Sequence, residues 1–226
     1  MDLDGRSVLV FGGAGALGSR IAVRLHERGA RLALAGRDAA RLEEVPVPGV
    51  RIRADLRVAA DCRRSVREAH GALGRLDGVV HAAGVVAFGA LSDLDDVTLA
   101  DLLETNAAGP LRVTRAALPH LTESGGFSVF ITGVVAAQPV AGMAAYSASK
   151  AALSAAAAAL GREVRRSGVS VVEVMPPHTE TGLAGRPIAG TAPRMPGGLD
   201  PDRVADRIVA AIEAGERRVE APAFGG

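Results

Sequence analysis

The chain of 226 residues has no tryptophan, one cysteine, one tyrosine and one lysine. A single thiol, Cys62, excludes an internal disulfide and suits a reducing compartment. A membrane-spanning helix needs roughly 20 consecutive apolar residues; the most apolar stretch, AALSAAAAAL, is alanine-rich and too short. The opening MDLDGRSVLV has no basic segment followed by a long apolar run, so no secretory leader is read there. An excess of one charge is also missing. The 26 basic and 25 acidic residues give a net charge of +1 and are scattered, which excludes the usual footprint of a nucleic-acid binder. His26, His70, His120 and His178 have no metal-ligand spacing with one another or with Cys62, so no metal is expected. These absences describe a soluble cytoplasmic protein with no nucleic-acid, membrane or metal partner.

What is present is 48% hydrophobic, enough for one full core, with no composition break or linker, so residues 1–226 read as a single domain. Short apolar runs alternate with helical patterns. SVLVF (7–11), RLALA (31–35), VRIRA (50–54), GVVHAA (78–83), FSVFIT (127–132) and VSVVEVM (169–175) read as strands, with a further short one near 218–220. Helices are expected over 16–29, 38–45, 59–73, 97–121, 143–167 and 201–215. Continuous apolar strands alternating with helices predict an α/β, Rossmann-type, doubly wound parallel sheet. The segment 176–200, rich in Gly, Pro and Thr, has no period, and a loop of that length is usually a lid or a binding loop.

The turn after the first strand carries Gly12, Gly13, Gly15, Ala16, Leu17 and Gly18. Glycines there let the backbone turn sharply and let a pyrophosphate approach the helix N-terminus, where free N–H groups favour an anion. The plain alternative is a tight turn without a ligand. A site for NAD usually has an acid at the end of the second strand; here Gly36 is followed by Arg37. Arginine pairs with a 2′-phosphate, which favours NADP(H), with NAD(H) as the alternative and a solvated arginine as the plain reading. Asp55 and Leu56 follow the third strand, where an adenine would lie; an aspartate capping the next helix would look the same. Ala82, Ala83 and Gly84 end the fourth strand with small residues that let a cofactor lie close, and His81 in its apolar run reads as a core or cofactor-packing residue.

The lone Tyr146 and the lone Lys150 stand four residues apart, although the other 25 of the 26 basic side chains are arginine. At that spacing they share a helix face. An ammonium beside a phenol favours the phenolate and lowers the tyrosine pKa from about 10, making it a usable proton donor and acceptor. Chance placement is the competing account.

With these motifs together the chain resembles the short-chain dehydrogenase/reductase family over nearly its whole length. The glycine turn at 12–18 resembles the family's first signature in a variant spacing, with Phe11 where threonine is usual, and HAAG (81–84) resembles its N-A-A-G motif. Asn106 matches the asparagine that holds a catalytic water, and YSASK matches Y-x-x-x-K. The resemblance implies Tyr146 as acid/base and Lys150 on the nicotinamide ribose. MPPHTET resembles the segment beside the nicotinamide, with Pro176 and Thr181 matching, Pro177 in place of glycine, and Thr179 as a further cofactor contact. The family's catalytic serine stands thirteen residues before the tyrosine, and that position is Gly133. Thr132, Gly133, Pro177 and His178 are the expected substrate residues. Thr132 is adjacent to the gap, but neighbours on a strand face opposite ways. The resemblance implies hydride transfer between NADP(H) and a small carbonyl or alcohol substrate. It also implies a homodimer or homotetramer paired through the helices at 97–121 and 143–167, and a serine returned to position 133 is expected to preserve or raise turnover. The alternative is a fold relative that binds the dinucleotide without redox chemistry.

Overall fold

A computed structural model describes residues 1–225. Seven strands form one parallel sheet in the order β3-β2-β1-β4-β5-β6-β7: β1 Ser7–Phe11, β2 Arg31–Gly36, β3 Val50–Arg53, β4 Gly78–His81, β5 Phe127–Ile131, β6 Ser170–Val174 and β7 Arg218–Val219. The order reverses between β1 and β4, so the crevice beyond their carboxyl ends is the topological switch point of the sheet. The strands β1, β2, β4, β5 and β6 alternate between two cores. One face buries Val8, Val10, Leu32, Leu34, Val129 and Val172 under helices α1 (Ala16–Glu27) and α7 (Pro201–Ala214). The other buries Leu9, Phe11, Ala33, Val79 and Phe130 under α3 (Ala59–Leu73), α5 (Gly109–Ser124) and α6 (Ala144–Glu163). This double burial is why the strands read as unbroken apolar runs.

The short α2 (Ala39–Glu43) is trimmed relative to the expected 38–45 because Asp38 is its cap, accepting from the Arg41 amide. The helix expected over 97–121 is a correction. It is divided into α4 (Asp96–Leu103) and α5 by a π-helical turn at Glu104–Ala108. Hydrophobic spacing cannot show a one-residue widening of the ladder, and such turns are frequent at functional sites. The alanine-rich helix ends as a tight turn at Val164–Ser167 with Gly168 at φ 74°. Among the described residues no helix is long and apolar enough to cross a membrane.

At the opposite, amino edge of the sheet, Asp77 is fully buried just before β4 and accepts from the Ser7 amide at 2.9 Å and from Arg6 at 3.0 Å, with Arg75 also paired to it. Burial by itself raises this carboxyl, but hydrogen bonds from Arg75, the Ser7 amide and Arg6 outweigh it and hold the pKa below the usual carboxylate value. A depressed folded-state pKa gives stability that is present above the unfolded value and lost as pH falls through the folded one. Asp77→Ala is therefore expected to destabilise the fold by about 1–3 kcal/mol, because it strands the Ser7 amide while both arginines regain water. Urea unfolding at neutral pH and at about pH 3 checks this: the difference between parent and variant should shrink in acid.

Candidate active site

The carboxyl edge of the sheet brings the sequence candidates into one crevice. The turn after β1 is held by the Gly12 and Gly13 amides on the Ala35 carbonyl and by the Gly15 amide on the Gly12 carbonyl. Gly12 has φ 80°, and a Cβ there would lie 2.5 Å from the Ala83 nitrogen; a Cβ on Gly18 would lie 2.1 Å from the Gly12 carbonyl. These two glycines let the first turn, α1 and the segment after β4 close on one another. Gly15, at the N-cap of α1, offers no side-chain cap, and the first turn of α1 has no acid, so its amides are left for an anion. Arg37 is exposed just beyond β2, and its guanidinium makes no hydrogen bond among the described residues. Sequence reasoning passed over Arg41, which donates to the Ala14 carbonyl at 3.0 Å and so sets a second positive charge on the rim of the glycine turn. Its signal was the spacing: one helical turn after Arg37, in the helix that follows β2.

Asp55 does not cap α3, whose N-cap is Val58 without a side-chain bond. The carboxylate is tied to Arg57, accepting from its amide at 2.9 Å and from its guanidinium, and Arg57 reaches on to Asp101 of α4. His81 is core. It is buried, stacks on Phe130 with ring centroids 4.9 Å apart and bonds Thr114 Oγ1 through Nε2 at 2.8 Å; burial pushes its pKa down to about 3, so it is neutral.

Asn106 lies in the π-turn and is buried, and its side chain is fully engaged. Oδ1 accepts from the Val85 amide at 2.9 Å, and Nδ2 donates to the Val85 carbonyl at 2.8 Å and to Ser149 Oγ at 3.0 Å. Ser149 in turn donates to the Tyr146 carbonyl. Lys150 is buried, and its Nζ donates to the Ile131 carbonyl at 2.9 Å, at the end of β5. A Cβ on Gly84 would lie 3.3 Å from Asn106 Oδ1 and 3.6 Å from Lys150 Nζ, so the two groups meet at that glycine. The chain holds one tyrosine, one lysine and one asparagine, and all three are here. The lone asparagine was a usable sequence signal that spacing arguments passed over.

Tyr146 packs with Ala87, Leu102 and Ala145, and its hydroxyl makes no hydrogen bond among the described residues. The expectation that Lys150 lowers its pKa is corrected: burial pushes the phenol up to about 12 and the Lys150 ammonium down to about 8, with Nζ 5.9 Å from the ring centroid. Desolvation outweighs the single neighbouring charge.

Thr132 is buried and donates through Oγ1 to Glu173 at 3.0 Å, so its hydroxyl is turned away from the crevice and cannot replace a serine at 133. Gly133 has φ 90° and ψ 160°, a conformation nearly confined to glycine. A Cβ would find room there, 3.7 Å from the Pro176 carbonyl, but the backbone angle resists any L side chain. A serine at 133 would therefore strain the turn as well as supply a hydroxyl. Pro176 is buried, while Pro177, His178, Thr179 and Thr181 are half-buried in the following loop, where Thr179 Oγ1 donates to the Pro177 carbonyl, Thr181 Oγ1 accepts from the Leu183 amide and His178 faces Glu180 at 3.4 Å. Loop 176–200 is fastened over segment 86–88 by the Ile188 amide on Val86 and the Phe88 amide on Ala189, and Thr179 bridges Leu199. Among the described residues no group of three His, Cys, Asp or Glu could hold a metal.

A family model described as short chain dehydrogenase matches residues 6–189. The 11-beta-hydroxysteroid dehydrogenases 1A and 1B of Arabidopsis thaliana are each 37% identical over 161 residues, 67% of this chain and 46% of theirs. The chain thus spans about half the length of those curated relatives. An uncharacterised oxidoreductase of Staphylococcus epidermidis is 28% identical across 90% of this chain and 89% of its own. Among solved structures, a short chain dehydrogenase from Burkholderia cenocepacia in complex with NADP aligns with TM-score 0.86 and 28% identity over 97% of this chain and 98% of that one. An alcohol dehydrogenase from Thermococcus sibiricus complexed with 5-hydroxy-NADP aligns with TM-score 0.84 and 26% identity over 96% and 94%.

With one tyrosine and no tryptophan, the ultraviolet phenolate band reports Tyr146 alone. At about pH 11 the folded chain is expected to show little phenolate, whereas the urea-unfolded chain should be mostly ionised, an unperturbed phenol titrating near 10. A folded-state midpoint at or below about 10 would refute the dominance of burial.

Proposed function

The chain belongs to the short-chain dehydrogenase family, and from that membership we propose that it is an NADP(H)-dependent oxidoreductase interconverting a carbonyl and an alcohol, with Tyr146 as the general acid/base. The observation that carries this reading is the meeting of Lys150 Nζ and Asn106 at Gly84, one helical turn from Tyr146, whose hydroxyl makes no hydrogen bond among the described residues. The crevice suits a dinucleotide: the uncapped α1 terminus would take the pyrophosphate, Arg37 and Arg41 a 2′-phosphate, the small residues Ala82, Ala83 and Gly84 the nicotinamide ribose, and Pro176, Thr179 and Thr181 the flank of the nicotinamide. Asp55 and Leu56 are proposed to border the adenine. When bound, the nicotinamide supplies the hydride and is itself oxidised.

In the reducing direction the substrate carbon gains a C–H bond, the C=O π pair moves onto oxygen, and the Tyr146 hydroxyl delivers its proton to that oxygen. Lys150 adds positive charge that favours the departing phenolate, against the burial that raises the phenol's pKa. Asn106 acts by position. Its side chain fixes Val85 and Ser149, and its place in the π-turn would let the backbone carry the water that returns the proton. The wall around Tyr146, with Val85, Ala87, Leu94, Leu99, Leu102 and Ala189, is apolar and supports an uncharged carbonyl substrate held by Pro177, His178 and the Gly133 turn under the 176–200 loop. Exposed Leu111 on α5 and the exposed alanines of α6 support pairing of those helices in a homodimer or homotetramer. A second reading, a dinucleotide binder without redox chemistry, is favoured by one observation: no side-chain hydroxyl stands at Gly133.

NADPH absorbance followed against a panel of aldehydes and ketones separates the two readings. Tyr146→Phe is expected to remove nearly all turnover, a loss of at least about a hundredfold, while NADPH affinity stays within about twofold. Turnover that survives this change would overturn the acid/base assignment. Arg37→Ala is expected to weaken NADPH by about 1–2 kcal/mol, a charge-assisted contact on an exposed rim, and to leave NADH nearly unchanged. A parent chain that binds NADH more tightly than NADPH contradicts the choice of cofactor.

A further inference from the structure

The Gly133 turn contains a donor that a side-chain census misses. Along β5 and beyond it, backbone groups alternate between the two neighbouring strands. The Thr132 amide donates to the Val174 carbonyl and the Val134 amide to the Pro176 carbonyl, both on the β6 side. The Phe127 amide donates to the Asp77 carbonyl, on the β4 side. Ile131 shares the parity of Phe127, and its carbonyl is the one that receives Lys150 Nζ. Gly133 has that parity too. By the same alternation its amide is directed to the β4 side, the side on which the Ile131 carbonyl receives Lys150 Nζ, and it donates to no partner among the described residues. Gly133 is half-buried, so this amide is reachable from the crevice rather than stranded in the core. The conformation supplies a second reason to take it seriously, because φ 90° and ψ 160° is held by a residue that no L side chain can replace without strain.

We propose that the main-chain amide of Gly133 donates the hydrogen bond that polarises the substrate carbonyl, taking the part that the resemblance gave to a serine hydroxyl. The proposal rests on the reductase reading above. As the hydride joins the carbonyl carbon, the π pair gathers on oxygen, and the amide and the Tyr146 hydroxyl share that charge until the Tyr146 proton is transferred. A fixed backbone donor needs no rotamer choice and loses no side-chain entropy when charge develops. It also explains why a chain with an otherwise complete constellation carries glycine where a hydroxyl was expected.

The direct test replaces the residue-133 amide by an ester, with glycolic acid in place of Gly133, which removes the N–H and keeps the freedom of the backbone angle. With a ketone from the panel that the parent reduces, kcat is expected to fall on the order of a hundredfold, the usual loss for one such donor. NADPH affinity should stay within about twofold. A kcat within about threefold of the parent overturns the proposal. Should the ester variant not fold, the parent labelled with [15N]glycine decides: the Gly133 amide proton, assigned from a Gly133→Ala spectrum, is expected to move downfield and exchange more slowly when NADP+ and the same ketone bind together. An unchanged resonance overturns the proposal. Gly133→Ser is expected to lower turnover, because relief of its backbone strain swings the amide away; higher turnover on small ketones would show that the hydroxyl was the missing part and overturn the proposal. A parent that binds NADPH but reduces nothing in the panel overturns the reductase reading itself, and this one with it. A parent that reduces a ketone while the ester variant keeps its rate overturns only the amide's role.

Discussion

Lys150 carries its ammonium into a place that water scarcely reaches, and among the described residues its one hydrogen bond is to the Ile131 carbonyl, 2.9 Å from Nζ. No carboxylate pairs with it among the described residues. Burial without a counter-ion lowers its pKa to about 8, so the charge is present near neutrality but loosely held. Much of the crevice follows from this contact. Strand β5 has to end where its last carbonyl can be lent to a side chain instead of a neighbouring strand, and α6 has to cross that end with Lys150 facing inward. The π-turn has to bring Asn106 in from the other side to hold Val85, so that the chain after β4 keeps Gly84 beside the ammonium. A charge in a low-dielectric pocket is useful when a second charge is about to appear there, and a phenol about to lose its proton provides one.

The sheet was legible because its strands are buried on both faces, and the resulting apolar runs leave little room for another reading. Tyr146, Lys150 and the glycine turn were legible because their spacing is local. What the sequence concealed was non-local or conformational. The widening of the helix at Glu104–Ala108 depends on Asn106 finding Val85 and Ser149, partners 21 and 43 residues away, which no hydrophobic period reports. The rise of the Tyr146 pKa depends on how tightly the apolar wall closes, and spacing alone credited the lysine with more influence than the packing allows. Asp55 resolved against the capping reading because Arg57, two residues on, captures it first. Thr132, read as the last residue of its strand, lies just beyond β5 and turns its hydroxyl to Glu173.

The long irregular segment 176–200 shows why low periodicity is not looseness. Single backbone contacts to Val86 and Phe88 and the bridge from Thr179 to Leu199 tie it at separated points, too few to make a strand and too far apart in sequence to be foreseen. Such a tie leaves the intervening stretches free to vary while the two ends stay anchored beside Pro176 and α7.

Gly133 also constrains how this chain can change over generations. An L side chain favours negative φ, whereas this turn sits at φ 90°. Glycine accepts φ of either sign, so only the step that places an L side chain on this turn is opposed. To move between the two arrangements, a lineage would first have to loosen the neighbouring contacts of Val134 with Pro176 and of Ala136 with Gly133, and only then exchange the residue. The glycine thus acts as a ratchet: once the turn has settled at this angle, a side chain there is no longer one step away.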